Sequence, residues 1–161
     1  MRVSVINFTC EYSAPFHAAS PPGLCPGKGR NGQELELPVI STWSYKDLKS
    51  APCRYNGSAY SHDLVLCAHN YVSHFGRLKD LHEGDTATFT DMDGNLFPYV
   101  MVERETLEPA SLEEMCAGDW DLTLFTCTVG GRSRVTIRFV LEEEASQNPA
   151  PRLSQQGGGC S

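Results

Sequence analysis

Apolar and polar residues alternate over several short stretches of the chain, which is the pattern of β-strands. The stretch "LELPVI" at 35–40 predicts a strand in which Pro38 restricts one position, and "DLVLCAH" at 63–69 predicts a buried strand. The runs "TATFT" and "LFPYVMVE" flank the turn "DMDGN" and predict a hairpin. Two further runs, at 121–127 and 134–141, surround "TVGGRS" and predict a second hairpin. Several short strands separated by turn signals indicate an all-β fold, either a barrel or a sandwich.

Helical signals are few and short. The stretch "WSYKDLKSA" at 43–51 predicts a helical turn, and "HFGRLKDLHEGD" at 74–85 predicts a short helix or turn closed by Gly84. In "SLEEM", Ser111 and Glu114 stand at the spacing of a capping box, which predicts one short helix before the second hairpin.

Two segments of biased composition flank the predicted strands. Residues 1–33 are rich in Pro, Gly and Ser, and residues 142–161 are acidic and then rich in Pro and Gly, so we expect irregular or disordered chain at both ends. Residues 34–141 are expected to form one domain with its own core. The net charge of -7 argues against a nucleic-acid partner, because no basic patch would neutralise phosphates. No stretch approaches the roughly 18 apolar residues of a membrane span, so the chain taken alone is expected to be soluble.

The second hairpin combines a thiol, two glycines and three arginines, which a purely structural hairpin does not need. If Cys127 pairs with Arg134 across the turn, the leucines of the first strand oppose Ile137 and Phe139 on one apolar face. The opposite face then carries the thiol and the arginines, outside the core. A two-residue slip would keep the same faces, so the pattern favours this register without fixing it.

Side chains that oppose each other across two strands have Cβ atoms about 5 Å apart. A guanidinium group at that distance favours the thiolate of Cys127 and can hydrogen-bond an oxyanion. The hairpin equally fits a structural interpretation, in which Cys127 is one more buried cysteine and the arginines solvate a sheet face.

A thiol nucleophile also needs a general acid or base, and the chain offers five histidines. His69 stands at the end of a predicted strand, as Cys127 does, although a histidine there is also compatible with a structural or simply exposed residue. The spacings of His62, His69 and His74 fit neither a helical histidine pair nor a closed metal site, so we expect no metal and no other cofactor. The seven cysteines include no C-x-x-C pair, which argues against a zinc ribbon or a thioredoxin-type motif.

Three segments resemble the sortases, the cysteine transpeptidases of Gram-positive bacterial surfaces. The segment "TLFTC" at 123–127 matches their T-L-x-T-C signature, "AHNYVSHFGRL" at 68–78 resembles their catalytic-histidine segment, and "RSRVTIRF" at 132–139 resembles the strand that carries their arginine. The segments "LPVISTWSY", "LKSAPCRYNGS" and "DMDGNLFPYVM" resemble further parts of the family, so that the similarity extends from about Leu35 to Leu141. These motifs do not assign a class, although they look class B-like or class D-like.

The resemblance implies an all-β fold, an eight-stranded closed β-barrel with a few short helices. It implies that Cys127 is the nucleophile, His69 the general acid and base, and Arg134 the oxyanion or substrate anchor. Arg132 and Arg138 are rivals for the last role. The residues implied as substrate-binding are Asn70, Phe125 and Thr126.

The resemblance also implies a reaction. A sortase cleaves an LPxTG-like sorting signal after Thr through a thioacyl intermediate and passes the acyl group to an amine. The implied partners are the sorting-signal peptide of surface proteins or pilins and an amine acceptor, which is a cell-wall precursor or a pilin lysine. The implied location is the extracellular face of the cell membrane. Two alternatives stay open: a cysteine peptidase or amidase that finishes with water, and a truncated, non-catalytic barrel of the sortase type.

The chain departs from the family pattern before "LELPV". Family members carry an apolar strand there and a membrane anchor before it, whereas this chain has "PPGLCPGKGRNGQ" at 21–33, whose prolines and glycines are poor strand formers. We therefore expect residues 1–33 to be the product of a misassigned start or an upstream frame shift. The segment 103–119, which in the family helps to shape the sorting-signal groove, has room for only one small helix.

Overall fold

The computed structural model of the chain describes residues 2–5 and 35–142. These ranges contain eight strands, one α-helix and two short 3-10 helices. The strands are β1 (Arg2–Val5), β2 (Leu35–Pro38), β3 (Cys53–Asn56), β4 (Leu64–Ala68), β5 (Thr86–Thr90), β6 (Leu96–Leu107), β7 (Leu122–Cys127) and β8 (Arg134–Leu141). The helix α1 spans Leu112–Cys116, and the 3-10 helices span Asp47–Lys49 and Leu78–Asp80.

The eight strands of the described ranges form one sheet in the order β2-β1-β5-β6-β8-β7-β4-β3. The pairs are antiparallel except that β4 and β7 run parallel. The sheet curls until its ends touch, because Ile40, just after β2, forms an isolated parallel bridge with Cys53 of β3. Its amide donates to the Pro52 oxygen at 2.9 Å, and its carbonyl oxygen accepts from the Arg54 amide at 2.8 Å. The fold is mostly β, as predicted, and this single bridge joins the end strands where a closed barrel would have a ladder.

The main core lies on the face predicted to be apolar. Leu122 and Leu124 of β7 pack there with Ile137 and Phe139 of β8, and all four are fully buried. The register pairs Leu122 with Phe139, Leu124 with Ile137, Thr126 with Val135 and Cys127 with Arg134. The register predicted from the apolar pattern is therefore confirmed.

A second, smaller cluster covers the other face of the sheet, which we expected to lie outside the core. Leu48 of a 3-10 helix and Met115 of α1 pack there against Phe125 of β7. The buried members of this cluster are Leu48, Cys53, Val65, Cys67, Met115 and Phe125. The expectation of an uncovered face is wrong for most of the β7–β8 hairpin, because two short helices lie over it. The strand ends at Cys127 and Arg134 stay half-buried.

The first strand lies in a segment that was expected to be irregular. Arg2–Val5 pairs with β2 on one side and with β5 on the other. The expectation of irregular chain over 1–33 is thus wrong for these residues, although "RVSV" does alternate in sequence. The remaining predictions for the termini fall on residues 6–34 and 143–161, which lie outside the described residues.

The short helix before the last hairpin is present as predicted, without the predicted capping box. Ser111 occupies the N-cap position of α1, but its side chain makes no capping hydrogen bond. The predicted capping box is therefore wrong, and α1 is held from its other end by an arginine described below. Within the described ranges, no helix combines the length and the apolar character needed to cross a membrane.

Candidate active site

His69, Cys127 and Arg134 lie at neighbouring strand ends. Because β4 and β7 run parallel with Ala68 level with Thr126, the next residues, His69 and Cys127, leave their strands side by side. On the other side of β7, Cys127 pairs directly with Arg134 at the start of β8. The sheet therefore places at one edge the three residues that the sequence pattern selected.

These three side chains share the outer face of the sheet. Side chains alternate along a strand, so His69 lies on the same face as Cys67, and Cys127 lies on the same face as Phe125. Cys67 and Phe125 both belong to the second cluster, which marks this face. His69, Cys127 and Arg134 are each half-buried, so they form a row at the rim of that cluster.

A buried hydrogen bond ties the ends of β4 and β7 together. The Thr126 hydroxyl donates to the Ala68 carbonyl oxygen at 2.9 Å, and Thr126 is only 3% exposed. Since these two residues directly precede Cys127 and His69, the bond joins the strand ends from which the thiol and the imidazole extend. The predicted role of Thr126 in substrate binding stays a prediction, and its hydroxyl is already committed to this internal bond.

A second tie joins the opposite ends of the same two strands. The Asp121 carboxylate, just before β7, lies 3.0 Å from Nδ1 of His62, which precedes β4. It also accepts the backbone amide of Leu141 at 2.8 Å. Asp121 is buried, so its bonds are shielded from water. The strands that carry His69 and Cys127 are thus fixed at both ends.

The turn between β7 and β8 orients the Arg134 side chain. Its Nη1 donates to the carbonyl oxygens of Gly131 and Ser133, both at 3.2 Å. The turn is closed by the Thr128 amide, which donates to the Ser133 oxygen at 2.9 Å. Gly130 and Gly131 adopt φ angles of +86° and +70°, which glycine reaches without steric cost. The two glycines of the sequence pattern therefore allow a turn whose carbonyl groups hold Arg134 beside Cys127.

Arg138, a predicted rival for the anchor role, belongs to the protein interior. It is 2% exposed, its Nε donates to Glu105 Oε1 at 2.6 Å and its Nη1 donates to Thr123 Oγ1 at 2.9 Å. Its two Nη atoms also donate to carbonyl oxygens at the end of α1, to Met115 at 2.7 Å and to Glu114 at 2.6 Å. All three nitrogen atoms of this guanidinium therefore donate to protein acceptors, and Arg138 anchors α1 on the sheet.

The three arginines of the hairpin thus differ in environment. Arg132 is exposed in the turn, Arg138 is buried beneath α1, and Arg134 is half-buried opposite Cys127. The assignment of the anchor role to Arg134 stays a prediction, which its position across from the thiol supports.

An aromatic side chain packs against the imidazole of His69. The ring centroids of His69 and Tyr71 are 5.0 Å apart and their planes differ by 31°. The Tyr71 ring also lies 5.4 Å from the ring of His74, with planes 42° apart. Tyr71 was not among the residues predicted for the site. Its position, two residues after a candidate catalytic histidine, was the feature of the sequence that could have indicated it.

His74 forms the buried end of this stack. It is 7% exposed, and its Nδ1 has no hydrogen-bond partner among the described residues. Burial lowers the pKa of His74 because it disfavours the charged imidazolium, and positive charge on His69 acts in the same direction. A backbone hydrogen bond with Ser50 opposes these effects without cancelling them. His74 is therefore neutral at neutral pH.

Access distinguishes Cys127 from the two other free thiols of the described ranges. Cys53 and Cys67 are buried and oppose each other across β3 and β4. Burial raises the pKa of Cys67 to about 12, with a further contribution from Cys53, whose own pKa burial also raises. Both are protonated at neutral pH and out of reach, whereas Cys127 is half-buried and open to a reactant.

The two other residues predicted to bind substrate differ in exposure. Phe125 is buried in the second cluster, where its ring meets Tyr55 edge-on at 5.4 Å. Asn70 is half-buried in the loop after His69. Their substrate contacts stay predictions, and Phe125 forms part of the floor beneath Cys127.

The residues present suit acyl transfer better than metal chemistry. A reachable thiol beside an imidazole is the arrangement of a cysteine nucleophile with its general acid and base. Among the residues that the structure describes, no group of three or more His, Cys, Asp or Glu side chains could hold a metal ion.

Similar solved structures are sortases. Sortase C1 from Streptococcus suis shares 25% identity with a TM-score of 0.56, over 67% of this chain and 66% of that one. Sortase C1 from Streptococcus agalactiae gives 25% and 0.57, over 67% and 62%. Sortase A from Corynebacterium diphtheriae, at 18% identity and a TM-score of 0.57 over 67% and 55%, shares the fold. The chain thus spans less than two thirds of each of these structures. They are named as classes C and A, so the predicted class B-like or D-like character stays a prediction.

Sequence comparisons place the chain in the same family. A search of curated proteins finds no match. A family model described as "Sortase domain" matches residues 31–144, which is most of the chain and includes every strand from β2 to β8. The chain therefore belongs to the sortase family, a family of cysteine transpeptidases.

Proposed function

We propose that this protein is a sortase-type cysteine transpeptidase, which cleaves an LPxTG-like sorting signal after Thr and transfers the acyl group to an amine. One observation carries the proposal. Cys127 ends β7, His69 directly follows β4, which runs parallel to β7 and pairs with it, and Arg134 is the cross-strand partner of Cys127. This geometry supports a nucleophile, a proton carrier and a cation acting on one carbonyl group.

The first half of the reaction forms a thioester. The Cys127 thiolate attacks the carbonyl carbon of the threonine, and negative charge develops on the carbonyl oxygen. Arg134 has Nε and Nη2 left over from its bonds to the turn within the described residues, and these can donate to that oxygen. Protonated His69 gives its proton to the leaving amine as the C–N bond breaks, so that the acyl group stays on sulfur.

The second half transfers the acyl group. An incoming amine gives a proton to His69 while its nitrogen attacks the thioester carbonyl carbon. The C–S bond breaks, Cys127 leaves as a thiolate, and His69 is again protonated for the next cycle. Attack by water instead of the amine would give hydrolysis, so the acceptor decides whether the enzyme is a ligase or a peptidase.

Family membership supports the finer parts of the proposal. We infer that the curled sheet closes as a β-barrel and that the protein works at the extracellular face of the cell membrane. Its partners are then the sorting-signal peptide of surface proteins or pilins, and an amine from a cell-wall precursor or a pilin lysine.

The test is mass spectrometry of the intact protein mixed with LPxTG-type peptides, with and without oligoglycine. We expect an acyl adduct that maps to Cys127 and a ligated product that requires the amine. Cys127→Ala should form neither while keeping its fold, because Ala fits the strand end. As a control, Cys53→Ala removes a buried thiol of the same face and should retain adduct formation, with any loss in stability measured separately.

Two results would contradict the proposal. Hydrolysis whose rate no amine changes would point to a peptidase. A folded wild-type protein that forms no adduct with any peptide of the library would point to a non-catalytic barrel.

A further inference from the structure

Tyr71 stands directly against the proposed catalytic histidine. Its ring centroid lies 5.0 Å from that of His69 with planes 31° apart, which is within the range of favourable aromatic contacts. The Tyr71 side chain is itself half exposed, at 51%. Its ring is therefore placed over the imidazole at the surface of the protein, where no core packing requires it.

The contact matters because, within the described residues, no hydrogen bond orients the His69 ring. In nucleophile–base pairs a third group usually orients the base, often a carboxylate that accepts its N–H. Within the described residues the hydrogen bonds of His69 involve its backbone, where its carbonyl oxygen accepts the Phe75 amide at 3.3 Å. No carboxylate among these residues bonds to the imidazole, and the Tyr71 ring contacts it.

The loop after His69 is built to fix Tyr71. The amides of His74 and Gly76 both donate to the Tyr71 carbonyl oxygen, at 2.9 Å and 2.8 Å. A Cβ atom at Gly76 would lie 2.7 Å from that oxygen, closer than real Cβ atoms approach, so only glycine fits there. Phe75, which is fully buried, anchors the loop in the main core. The backbone of Tyr71 is thus held by a tight, closed loop.

A second histidine also contacts the Tyr71 ring. His74 lies 5.4 Å away with planes 42° apart, and it is buried against the protein. His74 is neutral, so it adds no positive charge beside a protonated His69. The Tyr71 ring therefore contacts both a buried neutral histidine and the half-buried His69.

We propose that Tyr71 is a positioning residue, which orients the His69 imidazole toward Cys127 through the face of its ring. The proposal rests on the proposed transpeptidase function for its kinetic consequence, and on the contact geometry alone for its structural one. The contact is made by the aromatic ring, so the phenol hydroxyl has no part in it.

The experiment compares Tyr71→Phe, which keeps the ring, with Tyr71→Leu, which keeps apolar bulk but loses the aromatic face. Val72→Ala is the matched control, because Val72 is the next residue in the same loop and is 76% exposed. Ligation kinetics with an LPxTG-type peptide and oligoglycine give kcat and KM separately. For Tyr71→Leu we expect a fall in kcat of roughly 2- to 10-fold, the usual range for one aromatic contact, with little change in KM or Tm. Tyr71→Phe and Val72→Ala should match the wild type.

Two further measurements need no substrate turnover, so they test the role of Tyr71 independently of the proposed function. In NMR spectra, the His69 ring protons should carry a ring-current shift that Tyr71→Phe keeps and Tyr71→Leu loses. Alkylation of Cys127 by iodoacetamide should slow in Tyr71→Leu, because a misplaced imidazole no longer accepts the thiol proton. One informative result is a wild type that ligates no peptide while Tyr71→Leu still changes both the His69 ring shift and the alkylation rate of Cys127. That result would contradict the transpeptidase function and support the positioning role of Tyr71.

The proposal is overturned by any of three results. One is a His69 ring shift that Tyr71→Leu leaves unchanged. Another is equal loss in Tyr71→Phe and Tyr71→Leu, which would assign the effect to the hydroxyl. The last is a rise in KM without a fall in kcat, which would make Tyr71 a substrate contact.

Discussion

Cys127 and Arg134 are direct cross-strand partners at the end of the β7–β8 hairpin. The Cβ atoms of two such partners are about 5 Å apart, so the long Arg134 side chain can reach a negative charge that forms at the thiol. The Arg134 guanidinium donates to the carbonyl oxygens of Gly131 and Ser133 in the turn, which limits the orientations it can take. The relationship is specific, because neither Arg132 nor Arg138 of the same hairpin has it.

Replacing Arg134 should damage the reaction while leaving the fold intact. Loss of one oxyanion donor typically lowers kcat by about 10²- to 10³-fold, and we expect a decrease of that order for Arg134→Ala. Arg134→Lys should restore little, since an ammonium group lacks the planar fork of donors. Ligation kinetics would check this, with Arg132→Ala as the control in the same turn. A loss in Arg132→Ala as large as that in Arg134→Ala would show that the wrong arginine has been assigned.

Replacing Arg138 should act through stability. Arg138 is buried, and its removal leaves Glu105 and two carbonyl groups of α1 without their donor. The Glu105 side chain is 32% exposed, so water screens part of its interaction with Arg138. Leaving the buried carbonyl groups without a donor typically costs about 1–3 kcal/mol, so Arg138→Met should lower the free energy of unfolding measured in urea by that order. The double variant with Glu105→Gln should recover part of the loss. Full stability together with lost activity in Arg138→Met would instead place Arg138 in the reaction.

Thr126 offers a test between a structural tie and a substrate contact. Thr126→Val keeps the shape but removes the hydroxyl that donates to the Ala68 oxygen, which should cost about 1–3 kcal/mol of unfolding free energy. Because that bond joins the strand ends that precede His69 and Cys127, we expect kcat to fall more than KM rises. Thr126→Ser keeps the hydroxyl and serves as the control. An increase in KM at unchanged stability would favour the substrate contact.

The alternation of apolar residues favoured the register that the structure shows. With Leu122 and Leu124 facing Ile137 and Phe139 in the core, Cys127 lies opposite Arg134, although a two-residue slip would have kept the same faces. The choice of His69 came from the resemblance to the sortases. The same pattern did not reveal the burial of Arg138. The alternation of apolar residues predicts on which face of the sheet a residue lies. It does not predict that α1, a separate helix, packs over that face and buries Arg138.

Two other features lay beyond the sequence pattern for different reasons. Arg2–Val5 is only a four-residue strand, whose partners β2 and β5 lie far along the chain, so no local signal announced the pairing. The contact of Tyr71 with His69 depends on a loop closed by Gly76, and loop conformations have no periodic sequence pattern from which they can be predicted.

The stability of the protein should fall in mild acid because of His74. Burial lowers the pKa of this histidine below its ordinary value of 6.5, so the unfolded chain binds the proton more tightly than the folded chain. The stability gained by keeping His74 neutral is therefore fully present above pH 6.5 and is lost as the pH falls below that value toward the lowered pKa of the folded state. His74→Phe keeps the ring against Tyr71 and cannot be protonated. Between pH 7.5 and pH 5 the Tm of the wild type should decrease more than that of His74→Phe, measured by thermal unfolding in the same buffers. Equal decreases in the two proteins would mean that other groups carry the acid sensitivity and that His74 is not held neutral by its burial.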